Sequence, residues 1–514
     1  MKNKFLLYVY VFFLCLTPHL SAQRRNELPA EVLATMKKAT VFMVENVSNN
    51  GGFLWSYAPD FSRMWGELEA KPTMIWVEAP GTPAMGHLFL DAYYLTGDKY
   101  YYKAAEAAAR ALIWGQLPCG GWNYVIDFAG EASLKDWHKM IYDGYDWPAY
   151  EHQYYYGNAT YDDNVTIMAA ELLLRMYLNE YNPVYKPALD KAIDFVLESQ
   201  YPIGGWPQRY PLRHDHPEDD GSPDYTSFIT INDGVFTSNI NFLIKCYQTL
   251  GEQRILEPIT RAMTCVIALQ GGNPQAGWGL QHDLSVDLLP ARARPFEPAG
   301  YASHGTAEMI QTLMYFYRLT GNSKYMARIP DAFAFLESIA IPESEWSDFE
   351  PRRRPQREGQ ILCPTFVEIG TNKGLYLHRT PGDIRTGHYY VDYDRSNLID
   401  HYSSVRTINL SALKEEYQEL MNTPTEELTR NSPLKSTELV EYPKYYTTWN
   451  SGAPTEENVR KIVDALKNKP YWPGPLPAVS SEYVGFGPDR LPDELISSWS
   501  YIRNMGTLMN YLKE

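Results

Sequence analysis

The chain has 514 residues, enough for one large domain and an appendage, and its 45% hydrophobic content excludes an intrinsically disordered protein. A formal charge of -16 excludes nucleic acid as the expected partner, and a polyanionic ligand would need a local cationic lining or a bound metal to be held. Forty tyrosines and thirteen tryptophans suit packing between helices and suit carbohydrate binding equally well.

The first 22 residues read as a signal peptide: Lys2 and Lys4 precede the apolar run Phe5 to Leu16, and Leu20-Ser21-Ala22 offers small residues for cleavage before Gln23. Cys15 lies in no lipoprotein cleavage box, so the expected product is secreted or periplasmic. No later stretch is long and apolar enough to span a bilayer. Cys119, Cys246, Cys265 and Cys363 remain after export, and core thiols and disulfides are both open to them; they are too scattered for a zinc site.

A helix followed by an aromatic-glycine turn then recurs. The turns are Gly51-Gly52-Phe53-Leu54-Trp55, Gly120-Gly121-Trp122, Gly204-Gly205-Trp206-Pro207-Gln208 and Gly277-Trp278. Tyr94 to Tyr100 and Tyr317 to Tyr325 are near copies of one phrase. A helix-turn-helix unit of roughly 70 to 85 residues cannot bury its apolar faces alone and has to stack on copies of itself. Between Tyr185 and Gln200, Leu189, Ala192, Ile193, Val196 and Leu197 recur at helical spacing; Ala104 to Ile113 and Ile259 to Leu269 behave alike. Phe228 to Ile231 is one of few strand-like runs. The expected class is therefore all-α dominated: a partial (α/α) toroid, or helical barrel, with a few short strands and a C-terminal appendage. Its catalytic domain would span 23–425, with an extension over 426–514 that packs on it. Glycine ends helices in any protein, but a recurring Trp beside it suits the apolar face of a sugar ring, so Trp206 and Trp278 are candidate platforms.

Three segments carry the candidate chemistry. Thr160-Tyr161-Asp162-Asp163-Asn164 opens a helix, where its acids either cap the helix or gather hard oxygens. Trp206-Pro207-Gln208-Arg209 is followed, after a polar loop, by Asn232-Asp233-Gly234, ordinary turn chemistry when taken alone. Gly277 to Asp283 brings Trp278 and His282, and Pro290 to Glu297 brings Arg292 and Arg294 in a loop that packing does not explain.

At these residues the chain resembles the pectate lyases of polysaccharide lyase family ten and their pectic acid lyase relatives. The family's Thr-Phe-Asp-Asn/Asp start, Gly-Gly-Trp-Pro-Gln turn, Thr-Tyr-Asn-Asp, Gln-His-Asp and Ala-Arg-aromatic-Glu segments all appear in order, with Pro295 inserted in the last. Phe366 to Asn372 resembles the family's Tyr-Glu-Ile-Gly-Thr-Asn stretch, with Lys373-Gly374 in place of Arg-Pro. The resemblance implies cleavage of α-1,4-linked galacturonan by calcium-assisted β-elimination. By position, Arg294 matches the arginine that removes the C5 proton, and Asp162, Asp163 and Asp233 match carboxylates at the calcium site. Trp206, Gln208, Arg209, Asn232, Trp278, His282, Arg292 and Lys373 become the candidate substrate contacts, and the expected molecule is a monomer acting on a pectic polymer. A free guanidinium is a very weak acid, so Arg294 as a carboxylate clamp stays open beside Arg294 as base. Two further classes stay open: an inverting glycosidase using Asp162 and Asp233, and a non-catalytic oligogalacturonide binder.

Towards the end, Arg352 to Arg354 reads as a solvated turn. Lys469 to Pro477 is too proline-rich for a helix and reads as an extended linker, and Ile496 to Leu512 as a last amphipathic helix.

Overall fold

The computed structural model describes residues 27–144, 150–213, 224–380, 388–399, 404–435, 451–475 and 492–513. The segment read as a signal peptide lies outside them. The chain divides into two compact units, one built from 1–114 with 443–514 and the other from 115–442.

In the first unit segments far apart in the chain meet. Pro473–Gly474, Leu495–Ser497, Ser56–Tyr57 and Met64–Trp65 form one antiparallel sheet, and the final helix, Ser498–Lys513, packs on Thr82–Thr96. Pro473 and Gly474, inside the expected linker, thus pair as a short strand. Thr82–Thr96 is apolar over most of its circumference and is buried accordingly.

The second unit holds three successive helical hairpins: α1 (Val165–Glu180) with α2 (Lys186–Glu198), α3 (Val235–Leu250) with α4 (Leu256–Ala268), and α5 (Ser303–Thr320) with α6 (Ile329–Ser338). From Val165 to Met176 every residue of α1 is buried, whereas α2 buries Leu189, Ala192, Ile193, Phe195 and Val196 and turns Lys191 and Glu198 outward. A continuously buried helix backed by a one-faced helix is the wall construction of an (α/α) toroid, and the helix-dominated class with few short strands holds. Among the described residues no helix is long and apolar enough to cross a membrane, and Cys119, Cys246, Cys265 and Cys363 are free thiols.

The glycine turns explain how hairpins stack. Gly120 (φ +102°) and Gly204 (φ +112°) have left-handed backbones, and a Cβ there would lie 2.2 Å from the Lys191 carbonyl oxygen and 2.3 Å from that of Arg261. Each turn therefore presses on the outer helix of the following hairpin, an approach only glycine permits. The aromatic after the glycines then locks the turn to the inner helix that follows it in the chain. The Phe53, Trp122 and Trp278 amides donate to the hydroxyls of Thr82, Thr166 and Thr306 at 2.9, 3.1 and 3.1 Å. Trp206 instead meets Phe236 edge-on.

Candidate active site

Two other turns, at the starts of α1 and α3, deliver acids. The backbone from Tyr161 to Val165 repeats from Ile231 to Val235, with left-handed pairs at Asp163 and Asn164 (φ 47° and 61°) and at Asp233 and Gly234 (φ 53° and 67°). Left-handed non-glycine residues cost of order 1–3 kcal/mol each and collect where function requires them. The helices that follow have Asn164 and Gly234 as N-caps, neither making a side-chain cap bond. Capping therefore does not account for Asp162 or Asp233. Short strand pairs fix the turns: Thr160 opposite Arg209, and Thr230 opposite Gln281. The Ile231 and Asn232 amides donate to the Leu280 carbonyl, so the 281–297 loop starts from the second acidic turn.

Arg294 closes the group. It is 8% exposed, and Nη2 donates to Asp162 Oδ2 at 2.8 Å while Nη1 reaches both Glu297 oxygens at 3.3 Å. The Glu297 and Arg294 backbones close on each other, and Asn232 donates to Glu297 Oε1 at 3.3 Å and to Asp233 Oδ2 at 2.7 Å. The guanidinium carbon stands 5.7 Å over the Tyr225 ring.

The carboxyl groups of Asp162 and Asp233 lie within hydrogen-bonding reach of each other, so the charge on one bears on the ionisation of the other. Burial would raise Asp162, but the Arg294 guanidinium, with help from Asp233, Tyr124 and Arg209, holds it below the usual carboxylate range. Asp233 moves the other way. Packing around its carboxyl and the charges of Asp162 and Asp163 push it well above that range, although the residue as a whole is open to solvent. The like charges are the firmer cause there, because solvent at the residue's outer edge relieves desolvation but leaves two close carboxylates in place.

Among the described residues no three His, Cys, Asp or Glu side chains form a ready-made metal cage. Asp162 Oδ1 is nevertheless buried and receives no hydrogen bond. Two close carboxyl groups, one carrying such an oxygen, need a proton or a cation between them. An all-oxygen pair fits calcium, whose remaining ligands water and a bound carboxylate would supply. Asp163 is exposed beside the pair.

Other expected contacts are placed differently. Trp206 and Trp278 are completely buried, with their indole N–H groups donating to the Val196 and Val266 carbonyls at 2.8 Å. This corrects their reading as sugar platforms: the glycine turn needs the aromatic for the core. His282 is buried too. Nδ1 donates to the Leu288 carbonyl, Nε2 accepts from the Gly279 amide, and burial pushes the imidazole down to about 4. It staples its own loop and does not face a ligand. Gln208 and Arg209 have no exposed surface; Arg209 is stacked 4.6 Å from the Tyr156 ring and donates to Asn123. Arg292 and Lys373 are exposed, Lys373 over Tyr393 and away from the acidic pair in its contacts. Glu297 and Tyr124, whose hydroxyl donates to Asp162 Oδ2 at 2.5 Å, are site members that motif reading left unassigned.

Solved structures resembling the chain include a family 10 polysaccharide lyase from Cellvibrio cellulosa, a mutant of it in complex with trigalacturonic acid, at 17% identity over 66% of this chain and 98% of that one, TM-score 0.42. They also include an unsaturated glucuronyl hydrolase specific for heparin (10% identity, 94% and 97% covered, TM-score 0.38) and a GH76 α-mannanase of Bacteroides thetaiotaomicron (11% identity, 94% and 95% covered, TM-score 0.37). No curated protein matches the chain. A sequence-family model described as pectic acid lyase matches residues 132–397, just over half of the chain.

Proposed function

We propose, for a chain that belongs to the pectic acid lyase family, that it cleaves α-1,4-linked polygalacturonate by calcium-assisted β-elimination at Arg294, Asp162 and Asp233. Membership makes it a polysaccharide lyase; the polymer, the cation and the residue roles are our reading. One observation carries it: three groups from separate loops converge, with Arg294 in contact with Asp162 and Asp162 in contact with Asp233.

A C5 proton beside a carboxylate is only weakly acidic, and its removal develops negative charge towards C6 before the C4–O bond breaks. Calcium, when bound, supplies positive charge against the C6 carboxylate and so makes that proton easier to remove. Asp162 and Asp233 would hold the ion, with Asp163 close by, which also answers the unfavourable net charge. Asn232 and Glu297 orient the pieces: Asn232 ties Asp233 to Glu297, and Glu297 fixes the Arg294 fork. Two carboxylates around Arg294 favour its charged form, suited to clamping or stabilising the developing anion. The role of base requires Asp162 to turn away from the guanidinium in the working complex. An inverting glycosidase is less well supported, because its carboxyl groups stand roughly 6.5–9.5 Å apart to admit water, and these two are within hydrogen-bonding reach.

The N-terminal apolar run and its flanking lysines support a secreted or periplasmic working form. The test is to incubate the protein with polygalacturonate, with calcium or a chelator, and follow ultraviolet absorbance together with reducing ends. Elimination raises both and chelator suppresses both. Reducing ends that rise under flat absorbance, or neither rising while the polymer binds, would sink the proposal.

A further inference from the structure

We propose that Tyr124 is a positioning residue for this site: its phenol holds the Asp162 carboxylate so that Oδ1, rather than Oδ2, is presented to the cation and substrate. The inference rests on the preceding reading of the site. Tyr124 lies outside the matched stretch 132–397 and belongs to the glycine turn of the preceding repeat, two residues after Trp122.

Three bonds fix its reach. The Thr160 amide donates to the Trp122 carbonyl at 2.8 Å, the Trp122 amide to Thr166 Oγ1 at 3.1 Å, and that hydroxyl to the Thr160 carbonyl at 2.6 Å. The turn is thereby stapled on both sides of Asp162. The ring is held in turn by the His152 ring at 4.8 Å and the Arg209 guanidinium at 5.6 Å, and Tyr124 is 2% exposed. A phenol held this way finds Asp162 Oδ2 at 2.5 Å. Oδ2 therefore carries two donors, Tyr124 and Arg294, while Oδ1 carries none. An ionised carboxylate accepts at both oxygens, so saturating one leaves the other for a ligand. The previous repeat thus supplies the group that aims the next repeat's acid.

The test compares Tyr124→Phe, which keeps the ring and its packing, with the wild type. Calcium titration by calorimetry without substrate should show affinity weakened roughly tenfold, the usual scale for losing a hydrogen bond to a charged group. On polygalacturonate at saturating calcium, kcat should fall about as much with KM within about threefold. A merely structural hydroxyl would lower the melting temperature and leave affinity and kcat unchanged, and that result overturns the proposal. Should the wild type neither bind calcium nor eliminate, the functional reading fails while the positioning claim stays open to measurement. Crystal structures of the two forms then decide it: an Asp162 carboxylate rotated away from its wild-type place in Tyr124→Phe supports it, and an unmoved one overturns it.

Discussion

The turns at Asp162 and Asp233 share one backbone and differ in their electrostatics. Asp162 is 2% exposed, receives Tyr124 and Arg294 on one oxygen and stays ionised. Asp233, at the open edge, accepts from the Asn232 amide, faces Asp162 and Asp163, and holds its proton more tightly. The repeated turn therefore sets the two acids at successive positions of one backbone, Asp233 matching Asp163 and Asp162 matching Asn232, and the loops arriving from neighbouring repeats decide their charge.

The largest effect should come from removing the group both acids depend on. Arg294→Ala is expected to lower kcat/KM by about 10³-fold or more, the scale of losing a base or an electrostatic stabiliser, with far-ultraviolet circular dichroism unchanged. Next come the acids themselves. Asp162→Asn and Asp233→Asn should each cost roughly 10²-fold in turnover, yet their melting temperatures should move in opposite directions at pH 7. The lowered Asp162 contributes stability that is present above the unfolded carboxylate value near 4 and lost as pH falls through its folded value, so its loss destabilises. The raised Asp233 contributes only at low pH and loses that contribution as pH rises through its folded value, so its replacement is neutral or stabilising. Equal shifts for the two variants would break the distinction drawn between the turns.

Glu297→Gln should be milder, about tenfold in kcat, because Arg294 keeps its bond to Asp162. The smallest effect concerns His282. Its imidazole is lowered to about 4, so stability it contributes is present above the unfolded histidine value near 6.5 and is lost as pH falls from there towards 4. Melting temperatures measured across that window should fall less steeply in His282→Gln than in the wild type.

Much of this was legible in the chain. The recurrent glycine turns imposed stacked hairpins, since a turn that abuts a neighbouring helix needs Gly120 and Gly204. Helical spacing over Leu189 to Val196 gave α2 nearly to its ends. Arg294 stood out because an arginine loop had no packing purpose, whereas Asp162 and Asp233, open to capping and turn chemistry, were picked out by the order of segments the chain shares with its family. Trp206 and Trp278 were misread for a physical reason: an aromatic after paired glycines serves a sugar or a core equally well, and only the Val196 and Val266 carbonyls bonded to their indoles decide. Tyr124 left no local signal, because its partner is 38 residues away and the contact exists only once the repeats stack.

The most direct measurement is mass spectrometry of the fragments released from polygalacturonate. Elimination predicts non-reducing ends one water lighter than a hydrolytic cut would leave, formed by the wild type with calcium and absent from Arg294→Ala. Fragments of full hydrolytic mass from the wild type would contradict a lyase site at Arg294, Asp162 and Asp233.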